Sequence, residues 1–533
     1  MDEPTSTAVR PEPRPTEDVL TGTGARVLRG SVWQIGSTLA PYVLTTFVSV
    51  VAARVLGPDQ MGRQSYIAFI VLTTVTICNA GFSAAVPRYV GDLMGRGEPG
   101  KLRSLVVWSW RIELVAAVVG AGVLIVVAAA GATPRAAWAL GAVAVFAGVL
   151  HKVPGSLLLG AQRWRQNGIV VLTTTTASAV ATVVVLLLGG GITGMFAVLA
   201  VANVVMLLWG TVLSRHLFGG ASRARQPLGR LGREIVRFGM IASVPIVLGF
   251  VVSQRSEFFF LEHYSTNTQI ALYSIAFSAY LAIVAAPIAI GNMIAPAVGA
   301  LHGAGESRRI RSGYARGLRL LLLVTIPLTV AAVVFGPALI RLLYGNQYGG
   351  AGTIVLILLA PLPIVPLAGL SSGVLVGMAR IGFPVVVSIV GVVVDLGLAA
   401  LLVPHLAASG AAIANIAAQI GKAILVISYS VRLVGGVDLA PRHLVKATAA
   451  AVVGGGCARL VLAMGESVWL FVLAVAIGAS IFTALAFLLR VLPRDDADWL
   501  TNALGNRTAS RVTRIFDRLA GPPLGTASPS GPA

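Results

Sequence analysis

The sequence predicts an all-α polytopic membrane protein of about 14 transmembrane helices. These form two six-helix lobes related by a parallel repeat, followed by two C-terminal helices. Three observations lead there. The first is composition. Of 533 residues, 56% are hydrophobic and only 11% are charged, with a mean hydropathy of +0.87. Soluble domains are about 45–50% apolar and about 25% charged. This excess cannot be hidden in one soluble core and needs lipid as a solvent. The second is the placement of charge. The net charge is +20, yet Arg and Lys alternate with long apolar runs instead of clustering on a polar surface. That is the pattern of membrane orientation, not of nucleic-acid binding. The third is an internal repeat at a fixed offset.

The first 25 residues are rich in Pro, Thr and acids and predict a disordered cytoplasmic segment. They lack the basic start and short apolar core of a signal peptide. A span needs about 20 apolar residues to cross about 30 Å of hydrocarbon. Fourteen segments qualify: 31–54, 64–90, 104–130, 136–159, 168–189, 192–214, 237–262, 268–300, 313–335, 352–378, 382–404, 409–432, 443–464 and 467–490. The predicted organisation is an N-terminal segment (1–25), an N-lobe (26–216, spans 1–6), a basic linker (217–236) and a C-lobe (237–433, spans 7–12). Two extra spans (434–492) and a largely disordered cytoplasmic tail (493–533) complete it. The long second and eighth spans predict tilt or extension beyond the lipid. Pro361, Pro363 and Pro366 interrupt the tenth span, and Pro245, Pro287 and Pro327 the seventh to ninth; these are hinge candidates. In the linker, Leu228, Leu231, Ile235 and Phe238 recur at roughly helical spacing among arginines, which predicts a segment lying along the interface.

Alternate loops are basic: Arg26 and Arg29, then Arg96, Lys101 and Arg103, then Arg163 and Arg165, then Arg215 to Arg233. The alternation continues with Arg308, Arg309 and Arg311, then Arg380, then Arg432 to Lys446, then Arg490 and Arg494. Arg54, Arg63, Arg135 and Arg341 are exceptions on the opposite side. The basic side is therefore expected in the cytoplasm, with both termini there, in a multi-pass protein of the cell membrane.

The repeat appears on aligning "YVGDLMGRGEPGKLRS" (89–104) with "AVGALHGAGESRRIRS" (297–312). Without a gap, Val90, Gly91, Leu93, Gly95, Gly97, Glu98, Arg103 and Ser104 match Val298, Gly299, Leu301, Gly303, Gly305, Glu306, Arg311 and Ser312, at an offset of 208. Residues 67–69 and 275–277 both read "IAF" in the same register. Six spans separate the copies, so both face one side of the membrane and the repeat is parallel. The first copy spells G-x-x-x-x-G-K from Gly95 to Lys101, the shape of a nucleotide phosphate loop. Three facts exclude that reading. A membrane helix precedes the turn where a strand is needed. Leu102 stands at the hydroxyl position. The second copy replaces Gly100-Lys101 by Arg308-Arg309. What recurs is a Gly-rich turn with a basic patch of Arg96, Lys101, Arg103, Arg308, Arg309 and Arg311. It sets topology or, alternatively, recruits anionic lipid headgroups. No nucleotide, nucleic acid, cofactor or metal is expected, and the two cysteines, Cys78 and Cys457, lie far apart in apolar runs.

"AARVLGPDQMGRQSYIAF" (52–69) resembles the R-x-L-G-x-x-x-x-G signature after the first span of polysaccharide exporters. "SEFFFLEHYSTNTQIALYSIAF" (256–277) resembles their acid-led seventh span, with Ala271 or Leu272 where that family usually has Gly. The chain thus resembles the Wzx-type flippase branch of the multidrug/oligosaccharidyl-lipid/polysaccharide exporter superfamily over about residues 26–490. The resemblance implies a two-lobe transporter that flips lipid-linked oligosaccharides by alternating access.

An ionisable group inside a span costs roughly 2.5–3.5 kcal/mol on insertion scales and is a functional candidate by default. Arg255 and Glu257 stand in the seventh span, two residues and so about 200° apart on a helix. One is expected to face the cavity and the other a neighbouring helix; Glu257 matches the family's acid. Asp395 lies mid-span in the eleventh, and Asn415, Gln419 and Lys422 form an i, i+4, i+7 stripe on the twelfth. An Asp395–Lys422 pair is expected, as structural glue or as a proton- or ion-coupling site. His151 and Lys152 stand in the fourth span, where Lys152 either meets an anionic headgroup or snorkels. Arg111 and Glu113 stand two to three turns into the third span, nearer the cytoplasmic surface. Arg459 in the thirteenth span and Arg88 at the base of the second complete the set, with structural roles leading for these two.

The leading reading is a non-enzymatic flippase whose buried cations accompany a polyprenyl-diphosphate glycan across the membrane. It serves cell-surface polysaccharide or lipopolysaccharide assembly, with membrane lipids and glycan-assembly enzymes as candidate partners. A cation-coupled multidrug antiporter predicts acids dominating the cavity. A glycan polymerase or ligase predicts a large outer loop, and the outer loops here are short. A purely structural lipid scaffold leaves the buried charges without a role.

Overall fold

The computed structural model describes residues 17–215, 226–253, 256–292, 294–380, 382–465, 467–504 and 518–520. Its regular structure is helical, as a lipid-solvated backbone must satisfy its own N–H and C=O groups. The helices are α1 (Glu17–Cys78), α2 (Phe82–Gly95), α3 (Pro99–Ala129), α4 (Arg135–Gly160), α5 (Trp164–Leu187) and α6 (Gly191–Arg215). They continue with α7 (Gly229–Ser253), α8 (Phe258–Tyr264), α9 (Asn267–Asn292), α10 (Ile294–Gly303), α11 (Ser307–Tyr344), α12 (Gly350–Leu359) and α13 (Val365–Gly377). α14 (Gly382–Leu433), α15 (Pro441–Leu462), α16 (Val468–Leu489) and α17 (Arg494–Leu504) close the chain. Two of these hold two spans each. α1 turns at Gly57 (φ 75°), separating spans 1 and 2, and α14 turns at Ala407 (φ 47°), separating spans 11 and 12. Other spans are split: span 2 runs from α1 into α2 and span 10 is α12 plus α13, while span 7 takes in α7 and α8, and span 8 α9 and α10, with residues 254–255 and 293 outside the described set. The fourteen predicted spans are thereby accounted for. Pro361 and Pro363 stand at the break in span 10, whereas Pro327 stays inside the continuous α11.

The repeat is visible in atomic detail. α3 and α11 begin 208 residues apart, at Pro99 and Ser307, and each is preceded by a left-handed glycine, Gly97 (φ 66°) and Gly305 (φ 73°). The Glu98 and Glu306 amides donate to the Leu93 and Leu301 carbonyls, both at 3.0 Å. The Lys101–Glu98 (2.9 Å) and Arg309–Glu306 (2.8 Å) ion pairs are also equivalent. The recurring glycines are therefore fixed by a helix-ending turn whose positive φ disfavours other residues. Asp59 and Asn267, again 208 apart, touch each other: Asn267 Nδ2 donates to Asp59 Oδ1 at 2.8 Å. Mates in contact lie beside the pseudo-two-fold axis.

Small residues let the helices approach, as expected where lipid removes the hydrophobic drive between them. Gly160 of α4 lies against Val90 and the Pro87 carbonyl of α2, and Gly454 of α15 against the Gly478 carbonyl of α16. α4 is the innermost N-lobe helix. Val126, Leu187, Leu460 and Leu488 remain exposed on the outer surface, as lipid-facing residues do.

Three expectations are corrected. The N-terminal 25 residues are not wholly irregular, because α1 begins at Glu17; residues 1–16 lie outside the described set. Of the linker, expected along the interface, residues 217–225 lie outside the described set. From Gly229 it is already α7, and Leu228, Leu231, Ile235 and Phe238 pack into the basic-side core of α2 and α3. The tail is not a solvated extension throughout. α17 carries an Asp496 that is fully buried against α11, and Leu492 pairs with Leu519. A polar helix escaped detection because its one buried anion meets cations from another element.

Candidate functional site

Between the lobes lies a cavity of about 430 Å³ lined by α1, α9 and Met195 of α6. Its polar lining is Thr45, Thr46, Ser49, Gln64, Ser65, Ser274 and Ser278. No charged side chain lines it among the described residues. Of the eight intramembrane residues singled out from the sequence, Arg255 lies outside the described set, and none of the other seven is among its lining residues.

The side opposite the basic loops is sealed above the cavity. Arg54, at the end of the first span, donates from Nε to the Leu343 carbonyl (2.6 Å) and from Nη2 to the Leu342 carbonyl (2.7 Å). These carbonyls belong to the last turn of α11, which lacks intrahelical donors. Tyr348 donates to the Ala53 carbonyl at 2.8 Å. Gly62 abuts the Asn267 backbone so closely that a Cβ would clash with its carbonyl. Below, one apolar core runs through both lobes, combining Ala52, Ala53, Met61 and Phe69 with Phe258, Tyr273, Phe277 and Tyr348. Sequence reading missed this seal, yet a signal existed. Arg54 and Arg63 are exceptions to the charge alternation, and Arg54 forms the seal while Arg63 pairs with Asp59 at 3.3 Å.

Beside the cavity, in the C-lobe, is a buried polar network. The chain breaks between α7 and α8, which brings Ser256 and Glu257 inward; Glu257, Asp395 and Asn415 have no exposed surface. Glu257 Oε2 accepts from the Tyr273 hydroxyl (2.9 Å) and Oε1 from Asn415 Nδ2 (2.7 Å). Gln419 Nε2 donates to Asn415 Oδ1 (2.6 Å), and the Tyr280 hydroxyl donates to Gln419 Oε1 (3.0 Å). Asp395 Oδ2 accepts from Ser256 (2.9 Å), and its carboxyl lies within hydrogen-bonding reach of Glu257. Two carboxyls in such contact repel when both are ionised and bond when they share a proton. No ion pair to either acid is formed among the described residues. Arg255 lies outside that set.

The expected Asp395–Lys422 pair is not formed: Asp395 faces Ser256 and Glu257 instead. The stripe reading placed Asn415, Gln419 and Lys422 on one face, but the first two turn into the network while Lys422 is part-exposed without an ion pair. Helix periodicity fixes a face, not which neighbour it meets.

α9 belongs to both features. Tyr273, Phe277 and Tyr280 (i, i+4, i+7) point into the carboxyl network and its core, while Ser274, Ser278 and Leu281, one residue on, line the cavity. The two faces are about 100° apart on one helix.

In the N-lobe, Glu113 is fully buried with neither carboxyl oxygen hydrogen-bonded, and it lies within electrostatic range of Lys152 but outside ion-pair distance. His151 is buried, and its Nδ1 has no hydrogen-bond partner. Lys152 has an exposed side chain about 12 Å from the basic end of α4. Arg88 stacks on Phe238, 4.4 Å from its ring centre. The repeated basic patch is at the surface, and Arg96 also pairs with Asp92 at 3.0 Å.

Fold, sealed cavity and buried polar core fit a multi-pass membrane transporter, and the family-model matches place it in the multidrug/oligosaccharidyl-lipid/polysaccharide exporter (MOP) superfamily. The structure is similar to Lipid II flippase MurJ in an inward closed conformation (TM-score 0.68, 13% identity, covering 86% of this chain and 98% of that one). It is also similar to a multidrug resistance MATE family transporter of the MOP superfamily in an inward-facing conformation (TM-score 0.64, 15% identity, 74% and 94% covered). A MOP superfamily transporter from Pyrococcus furiosus Vc1 gives a TM-score of 0.55 at 14% identity, with 77% and 95% covered. No curated protein sequence matches the chain. The chain belongs to the polysaccharide biosynthesis protein family, whose model matches residues 27–302, and the MatE model matches residues 237–401.

Proposed function

We propose that this transporter flips a lipid-linked oligosaccharide, carried on a polyprenyl diphosphate, across the cytoplasmic membrane by alternating access. The basic side and both termini lie in the cytoplasm in this reading, and the glycan serves cell-surface polysaccharide or lipopolysaccharide assembly, with glycan-assembly enzymes as partners. The observation that carries it is the lining of the cavity. Among the described lining residues, seven hydroxyl and amide side chains and no carboxylate suit a neutral, hydroxyl-rich sugar, whereas a drug cation calls for acids. Family membership and the likeness to a structure described as a lipid II flippase support the same reading. The lipid tail stays in the bilayer while the headgroup passes between the lobes.

The Glu257–Asp395 carboxyl pair supplies the coupling. Taking up a proton or a cation there removes the repulsion between the two acids. α9 carries that change to the cavity, since Tyr273 and Ser274 are neighbours on it. Purified protein in liposomes containing a polyprenyl-diphosphate oligosaccharide should expose the glycan to an external glycosidase. Efflux of cationic dyes with no glycan movement across several glycans would instead favour a multidrug antiporter, to which the buried acids and the MatE match would then belong.

A further inference from the structure

The repeat offers an internal comparison between two grooves, one filled and one open. In the C-lobe, the basic end of α11 and the start of α15 form a groove that receives α17. Asp496 is its anchor: Arg319 donates to it from Nε (2.8 Å) and Nη2 (2.7 Å), and Arg316 from Nε (3.1 Å). Trp499 lies under the Arg316 guanidinium, 5.1 Å from it, and Leu500 joins Leu320 and Leu323 of α11. An anionic head with an apolar body fills the slot.

The offset of 208 pairs Arg316 with Trp108 and Arg319 with Arg111, so the same site on the N-lobe is the basic half of α3. α7 leaves the N-lobe as α15 leaves the C-lobe. Ser104 of α3 donates to the Gln226 carbonyl before α7 (2.6 Å), and Arg311 of α11 donates to the Gly436 carbonyl before α15 (2.8 Å). Between α3 and α7 lies a lateral groove of about 600 Å³, lined by Trp108, Arg233, Val236, Arg237, Met240 and Ile241. Arg233 and Arg237 are one turn apart and exposed, and form no ion pair among the described residues. One turn deeper, Met240 and Ile241 are 67% and 64% exposed, which suits a lipid-facing surface. Guanidiniums, an interfacial Trp and then bare aliphatic surface repeat the order of a phospholipid: phosphate, glycerol level, acyl chain.

We propose that this α3–α7 groove is a binding site for an anionic phospholipid of the membrane leaflet on the basic side, whose phosphate sits between Arg233 and Arg237. The lipid takes the place in the N-lobe that α17 takes in the C-lobe. The site flanks the first turns of α7, a helix that packs on α2 of the N-lobe and on α14 of the C-lobe, so its occupancy bears on how far the lobes part. It stands independently of what the central cavity carries.

The test uses the full chain in nanodiscs of phosphatidylcholine with a minority of phosphatidylglycerol, released into native mass spectrometry. The wild type is expected to retain one more phosphatidylglycerol than the Arg233→Ala/Arg237→Ala double variant. Losing two charges should lower occupancy about 30-fold, and Arg233→Lys/Arg237→Lys should retain most of it. A photo-crosslinker on Met240→Cys, with both arginines intact, should capture phosphatidylglycerol. Equal retention by the wild type and the Ala double variant, equal retention of phosphatidylcholine, or a crosslink to another segment of this chain would each overturn the proposal.

Discussion

Loosening the seal at Arg54 should move the cavity's access from one side of the membrane to the other. Arg54→Ala removes two charge-assisted bonds to the Leu342 and Leu343 carbonyls, and Tyr348→Phe removes a buried bond to Ala53. A charge-assisted bond contributes about 1.5–3 kcal/mol in favourable settings; because Arg54 is exposed, about 1 kcal/mol each is the fitting value. The Tyr348 bond adds about 1 kcal/mol. The double variant therefore gives up about 3 kcal/mol of closure, or about 100-fold in the population open on that side. Both native cysteines, Cys78 and Cys457, are free and can be replaced by Ala. Ser49→Cys then reports from the cavity wall. In oriented proteoliposomes, a membrane-impermeant maleimide added on the seal side should label Ser49→Cys about 100-fold faster in the double variant, within the linear range set by the opening equilibrium. An unchanged rate in a folded double variant would refute the seal.

Other outcomes follow from the same contacts. Asp496→Ala leaves Arg319 buried without its anion and should cost about 3–5 kcal/mol of stability, read as a lowered melting temperature and faster proteolysis of the tail. Exchanging Asp395 and Lys422 should not rescue activity lost in either Ala variant, since the two do not pair; rescue in a flipping assay would restore the expected pair. Glu257→Gln can keep both hydrogen-bonding neighbours, because the Tyr273 hydroxyl can turn to accept, so it should fold normally yet lose the ion or proton dependence of transport in gradient-driven assays. Gly160→Ala pushes a Cβ to 2.6 Å from Val90 Cβ and 2.7 Å from the Pro87 carbonyl. About 1–3 kcal/mol of overpacking is expected, visible as a lower melting temperature.

Most of the fold was legible because lipid leaves little choice. Apolar length sets the spans, charge alternation sets their direction, and the glutamate–cation turn after Gly97 and Gly305 marks the duplication. The site was less legible. Glu257, Asp395, Asn415 and Gln419 could be picked out as costly polar residues within spans, and the structure gathers them into one network. Their partners could not be read, since Ser256 reaches Asp395 from the turn that precedes α8, and Lys422, three residues past Gln419, joins no ion pair among the described residues. The cavity had no signature at all. Serine and threonine inside spans often bond back to their own helix, so Ser274 or Thr45 carries no mark of facing a substrate. Asp496 was hidden by its polar surroundings in the tail.

The most direct test of the central claim is glycan movement in liposomes with and without the cavity. Ser278→Trp places an indole in a space of about 430 Å³ without touching the carboxyl network or the seal. Wild-type protein should expose a polyprenyl-diphosphate oligosaccharide to external glycosidase, and folded Ser278→Trp should leave it protected. Equal exposure by both would show that the glycan does not pass through this cavity.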